Sequence, residues 1–166
     1  MGRRPSRKLM RSWRALSEAE SVVPVFVIDP RLLASAYMSE RRFALLLGGL
    51  RSLDSDLRAK GSRLVLRRGD PGEELARLLD ETSAEAIFLE RDVSPYARRR
   101  DQRLAETLPL RGVWGLTVFG PNRVLKADGT PYTVFTPYSK AWKSQDLPAK
   151  ESLWTPPPEI PSPCRL

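Results

Sequence analysis

The sequence predicts an α/β domain, a parallel sheet flanked by helices. Three observations carry that reading. Four short apolar runs are separated by stretches with helical periodicity. The first run is almost continuously apolar, as in strands buried on both faces. Strand and helix alternate along the chain, which implies right-handed crossovers between parallel strands. With 166 residues there is room for one compact domain.

The elements follow in order. Residues 12–21 read as a short helix with Trp13 and Leu16 as its few apolar positions. Val22 to Ile28 is the first strand, closed by Asp29-Pro30. Pro24 has no amide donor and is expected near the start of that strand. Between Ser39 and Lys60, Phe43, Leu46, Leu47, Leu50, Leu53 and Leu57 recur at three- and four-residue spacing, which predicts a long helix. Ser39 is placed to cap it and Gly61 to stop it. Gly48-Gly49 falls inside this helix, where close packing is the expected reason for two glycines. Arg63 to Arg67 is the second strand. Asp70-Pro71 opens a helix through Leu79, with Asp70 as N-cap and Pro71 in the first helical position. Ala86 to Leu89 is the third strand, Ser94-Pro95 begins a helix through Leu104, and Val113 to Phe119 is the fourth strand. Lys126 to Pro131 forms a turn with Asp128-Gly129 at its tip, then Tyr132 to Phe135 is extended and Pro137 to Lys143 is a short helix.

Composition excludes several chemistries. The chain has no histidine, which removes imidazole acid–base catalysis, Ser-His-Asp and Cys-His nucleophiles and most zinc sites. Its one cysteine, Cys164, excludes an internal disulfide and a cysteine metal cluster. No apolar run is long enough to cross a bilayer, so no membrane partner is expected and the expected compartment is the reducing cytoplasm. The net charge of +8 is local: Arg3, Arg4, Arg7, Lys8, Arg11 and Arg14 occur without an acid before residue 15. This basic arm suits contact with nucleic acid or an anionic membrane, or is a solvated tail or a start region of no function, the reading preferred.

Residue types alone leave open alternatives. Asp29 follows a strand at the end where open α/β sheets bind ligands, yet Asp-Pro also simply turns the chain, and the turn is preferred. Arg98-Arg99-Arg100-Asp101 can hold an anionic or heteroaromatic ligand through forked hydrogen bonds, or be an exposed charged face. Three consecutive arginines fan around a helix, so at most two can face one ligand. Tyr132, Phe135, Tyr138 and Trp142 lie near Lys140 and Lys143, a pattern that stacks bases or, more readily, closes a core edge. No phosphate-cradling glycine loop occurs.

Four segments in order resemble the N-terminal domain of the DNA photolyase/cryptochrome family. They are Val23-Pro-Val-Phe-Val-Ile-Asp-Pro30, Gly61-Ser-Arg-Leu-Val-Leu-Arg-Arg-Gly-Asp-Pro71, Pro95-Tyr-Ala-Arg-Arg-Arg-Asp101, and Gly129-Thr-Pro-Tyr-Thr-Val-Phe-Thr-Pro-Tyr138 leading to Ala141-Trp142. The resemblance covers about 120 residues, from Val22 to about Lys143. It implies a Rossmann-like α/β domain carrying an antenna chromophore. By position, Phe26, Val27, Arg42 and Asp101, with Arg98 more weakly, are the implied chromophore contacts. Deazaflavin or flavin is favoured over folate, because the family's folate-type Asn-Glu pair is replaced here by Tyr96-Ala97.

The departures from the family pattern set further expectations. The first strand, with its Arg-Arg-Asp-Leu-Arg signature, is absent from this sequence, and in the family's sheet that strand is central. Its loss would leave flanking strands with unpaired backbone groups and favour self-association through open edges. The expected organisation is a basic arm and partial helix at 1–21, the α/β domain at 22–147 and a Pro-rich linker or tail at 148–166. The sequence reads as a piece of the family's chain, truncated at both ends. The helical domain that carries FAD and the DNA lesion lies outside it, so FAD is not expected here and no catalytic residue is assigned. Repair of DNA is not expected of this chain alone. Expected partners are DNA, through a helical domain or the basic arm, and a separately encoded helical FAD-binding protein. The alternative is a basic α/β module that binds nucleic acid or such a partner.

Overall fold

The computed structural model describes residues 19–114, 117–147 and 158–161. The chain divides into two compact units. One spans Arg14–Ile87 and Pro156–Leu166 and is called here the β1–β2 unit; the other spans Met1–Trp13 and Phe88–Thr155 and is called the β3–β4 unit.

In the β1–β2 unit the elements are β1 (Val25–Ile28), α1 (Pro30–Leu33), α2 (Glu40–Arg58), β2 (Val65–Arg68) and α3 (Pro71–Thr82). β1 and β2 pair in parallel, with Val25 opposite Val65 and Ile28 opposite Arg68. Pro24 stands just before β1, where its carbonyl accepts from the Val65 amide at 2.8 Å. Hence the missing donor costs the ladder nothing. β2 starts two residues later than the sequence reading. The Leu64 amide is taken by Asp54 Oδ1 at 2.9 Å, so the ladder begins at Val65. At its other end the Gly69 amide bonds Ile28 O at 3.2 Å.

The helices begin where residue chemistry places them. The Ser39 hydroxyl accepts from Arg42 N, and the Asp70 carboxylate from Gly72 N with Pro71 in the first turn. Leu50, Leu57 and Leu78 are buried, and α3 packs on β1. The Gly48-Gly49 pair corrects one expectation. A Cβ at either position would meet nothing within 4 Å, and both residues are exposed. Close packing therefore does not explain them among the described residues.

The β3–β4 unit contains β3 (Ile87–Glu90), α4 (Pro95–Thr107), β4 (Leu110–Val113) and α5 (Phe135–Lys143). The Ser94 hydroxyl caps α4 by accepting from Ala97 N. The fourth strand differs from its predicted range, Val113 to Phe119. It ends at Val113, and residues 117–119 form a bend. The cause is its partner: β3 has four residues, and the Arg91 amide reaches Val113 O at 2.7 Å as the pairing closes. Gly112 lies under the Arg91 side chain: a Cβ there would come 2.4 Å from Arg91 Nε, so the arginine would have to shift. Downstream, Gly129 takes φ 79° at the tip of the Asp-Gly turn, and Lys126 N bonds Thr130 O at 2.9 Å. α5 begins at Phe135, two residues earlier than read.

The four strands make two separate two-stranded sheets, β1 with β2 and β3 with β4, among the described residues. A single sheet was expected from the alternation. Of the helix read at 12–21, residues 12–18 lie outside the described residues, and 19–21 are not helical. Most of the arm and tail likewise lie outside them. Two backbone bonds fix part of 158–161 to the β1–β2 unit: Val22 N to Pro161 O at 2.7 Å, and Ile160 N to Lys60 O at 2.9 Å.

Candidate chromophore-binding residues

Three of the predicted contacts belong to the β1–β2 unit. Phe26 and Val27 are the second and third residues of β1, both half-buried, opposite Leu66 and Arg67. Neighbours on a strand point to opposite faces, so a ligand on either face meets one of the two. Arg42 lies in the first turn of α2 and is exposed. Its guanidinium bends back to donate to the Tyr37 carbonyl.

Arg98 and Asp101 belong to the β3–β4 unit, three residues apart on α4, and so share a side of that helix. Arg98 is exposed, with no ion pair among the described residues. Asp101 is half-buried and held by Arg100, whose Nε and Nη2 both donate to Oδ1, at 2.8 and 2.7 Å. Oδ2 is left as an acceptor among the described residues. The arginine run thus fans as the sequence requires: Arg100 folds onto Asp101, while Arg98 and Arg99 project outward. A free guanidinium and a free carboxylate oxygen on one helix side can bind a ring edge that alternates acceptors with N–H donors.

The remaining candidates resolve into structural roles. Asp29 is 5% exposed and caps α1, accepting from Arg31 N at 2.8 Å. The aromatic group forms two edge-on pairs, Tyr132 with Tyr138 at 6.1 Å and Phe119 with Trp142 at 5.3 Å, while Phe135 stays 77% exposed. Sequence reasoning missed two cation–π contacts, Arg91 over Trp114 at 5.9 Å and Arg111 over Phe88 at 5.6 Å. It could not have found them from spacing, since each depends on which strand residue the arginine lies beside. Among the described residues no acidic or cysteine cluster could hold a metal, and no helix is long and apolar enough to cross a membrane.

The family model for DNA photolyase matches residues 9–162. The chain belongs to the DNA photolyase family. A deoxyribodipyrimidine photo-lyase of Synechococcus sp. is 34% identical over 139 residues, covering 81% of this chain and 29% of the relative. A bacterial class III photolyase from Agrobacterium tumefaciens superposes with a TM-score of 0.78 at 25% identity, over 95% of this chain and 33% of that one. An archaeal photolyase from Sulfolobus tokodaii, solved with two FAD molecules and an implied novel light-harvesting cofactor, gives 0.61 at 26% identity, over 81% and 31%. The chain thus spans about a third of the length of the photolyases it matches. The likeness confirms the α/β architecture that the four segments implied.

Proposed function

We propose that this chain is a photolyase antenna domain that binds a light-harvesting chromophore of the deazaflavin or flavin type. The observation that carries this reading is the family match over nearly the whole chain, joined by likeness to an archaeal photolyase solved with two FAD molecules and an implied novel light-harvesting cofactor. Phe26, Val27 and Arg42 in one unit, and Arg98 and Asp101 in the other, are the proposed contacts. When bound, the chromophore supplies absorption of light. Asp101 Oδ2 would accept a ring N–H, and Arg98 would donate to a ring carbonyl. The choice against folate rests on Tyr96-Ala97 standing near the place of the family's folate-type Asn-Glu pair.

In this reading the domain belongs in the cytoplasm and does not repair DNA by itself. The lesion and FAD would be held by a helical partner or domain, with DNA reached through it or through the basic arm. The proposed organisation keeps 22–147 as the chromophore-binding domain between the arm and the Pro-rich tail.

Titration of the purified chain with riboflavin, a deazaflavin and a methenyl-folate, followed by absorption shift and fluorescence quenching, tests the reading. Binding of the flavin or deazaflavin, weakened about tenfold by Asp101→Asn, is the expected result. Absence of binding up to high micromolar chromophore, or binding of the folate alone, would overturn it.

A further inference from the structure

The outward side of α2 has features that the chain itself does not use. Gly48 and Gly49 stand in the middle of a 19-residue helix, where glycine weakens the helix, and a Cβ at either would meet nothing within 4 Å. Leu45, one turn earlier, is 78% exposed. Arg41 in the first turn and Asp56 in the last are exposed and form no ion pair among the described residues. Each sits at the end of the helix that its charge disfavours, a cation beside the amino terminus and an anion beside the carboxyl terminus. At 100° per residue, Arg41, Leu45, Gly48, Gly49, Ser52 and Asp56 fall within about 100° of arc, away from buried Leu50 and Leu57.

We propose that this side of α2 is the contact of a homodimer, in which α2 packs antiparallel on α2 of a second copy. The order of residues along the helix selects that occupant, because it is complementary to itself when reversed. Arg41 and Asp56 stand equally far on either side of the Gly48–Gly49 bond, and so do Leu45 and Ser52. With a two-fold axis at that bond, Arg41 comes level with Asp56 of the second copy, and Leu45 with its Ser52. The leucine of each copy then enters the gap left by the serine and the two glycines of the other. The absent side chains let the two helices approach closely. Both charges meet an opposite charge and the favourable end of the neighbouring helix. A parallel pair would set Arg41 against Arg41 and Asp56 against Asp56, so charge selects the antiparallel one. One helix face is smaller than a standard interface, and the dimer is accordingly weak, populated above roughly 50 µM.

None of these six residues is a proposed chromophore contact, so dimerisation and chromophore binding can each fail alone. The test is sedimentation equilibrium of the full chain between about 5 and 500 µM, where a reversible monomer–dimer equilibrium is expected. Gly48→Leu should abolish the dimer, because the added side chain fills the gap, and Leu45→Ala should weaken it about tenfold. Both substitutions raise helix propensity, so neither effect comes from loss of α2. Arg41→Asp and Asp56→Arg each turn two attractions into two repulsions and should each weaken the dimer about tenfold. The double reversal should restore it. Within one chain the two residues are about 22 Å apart along the helix, so restoration requires contact between copies. The proposal is overturned if the chain stays monomeric across the range, or if the dimer is indifferent to Gly48→Leu. It is equally overturned if the double reversal stays as weak as either single one, or if association runs on past the dimer, as pairing through open strand edges would.

Discussion

The two units are built to one plan and differ in how they treat charge. Each pairs two four-residue strands and contains a helix that starts with proline behind an Asp or Ser cap. In the β1–β2 unit, residues 19–87 and 158–161 contain twelve Asp and Glu against ten Lys and Arg. Carboxylates there engage arginines: Arg58 with Asp54 and Arg77 with Glu74, both at 2.7 Å, Arg31 with Asp70 at 3.2 Å, and Arg67 with Glu81. The β3–β4 unit reverses the balance, and its described ion pair is Arg100 with Asp101. Its other arginines lie over aromatic rings or project into solvent. Exposed pairs contribute little to stability, so the acidic partners do not explain why either unit folds. What they decide is which guanidiniums are engaged: in the β1–β2 unit Arg41, Arg51, Arg63 and Arg68 are exposed with no ion pair among the described residues, as are Arg98, Arg99 and Arg103 on α4.

The largest expected effects break the comparison through the cores. Leu78 in the β1–β2 unit and Leu104 in the β3–β4 unit are 6% and 8% exposed. Truncation of either to alanine should cost about 2–5 kcal/mol. Trp114 and Trp142 both belong to the β3–β4 unit, so with Trp13 and Trp154 replaced by Phe, tryptophan emission in urea reports on that unit, whereas circular dichroism reports on both. Leu78→Ala should shift the dichroism midpoint more than the emission midpoint, and Leu104→Ala should do the reverse. A single transition shared by both probes in both variants would show one cooperative domain, and the comparison of two units would fail.

Much of this fold was legible because its signals are local. Ser39, Asp70 and Ser94 announce helix starts through their own side chains, and all three accept the expected amides. The fourth strand was misplaced because Val113 to Phe119 is rich in β-branched and aromatic residues, whereas a strand's limits depend on the reach of its partner. Gly48-Gly49 misled for a related reason: sequence shows the glycines but not the open space around them. At the candidate site, the link of Arg100 to Asp101 follows from adjacency. The turn of Arg42 back to Tyr37 depends on a loop path that no periodicity encodes. That Phe26 and Val27 face opposite ways was readable from the strand period alone.

A smaller effect sharpens the account of the β1–β2 unit. Gly48→Ala and Gly49→Ala sit in the middle of α2 with nothing within 4 Å of the added methyl. Each should stabilise the chain by about 1 kcal/mol, the difference in helix propensity. The readout is the urea midpoint by circular dichroism at low micromolar concentration, where the chain is monomeric. Destabilisation by either alanine would mean that the exposed side of α2 is covered within the monomer, and the reading of this helix would have to change.

The smallest expected effect is electrostatic and belongs to Asp54. Arg58 Nε donates to its Oδ2 at 2.7 Å and the Leu64 amide to its Oδ1 at 2.9 Å, so one carboxylate ties the end of α2 to the entry of β2. The Arg58 hydrogen bond first, then the Leu64 amide, hold its pKa below the usual carboxylate range. Both favour the charged form. A depressed folded pKa adds stability that is present above the unfolded value and is lost as pH falls through the folded one. Asp54→Asn should therefore lower the urea midpoint slightly at neutral pH, and the difference from wild type should close as pH falls below the ordinary carboxylate range. If the gap stays constant down to the acid limit of folding, the tie at Asp54 works through shape rather than charge. The ion pairing that distinguishes the β1–β2 unit would then be incidental to its stability.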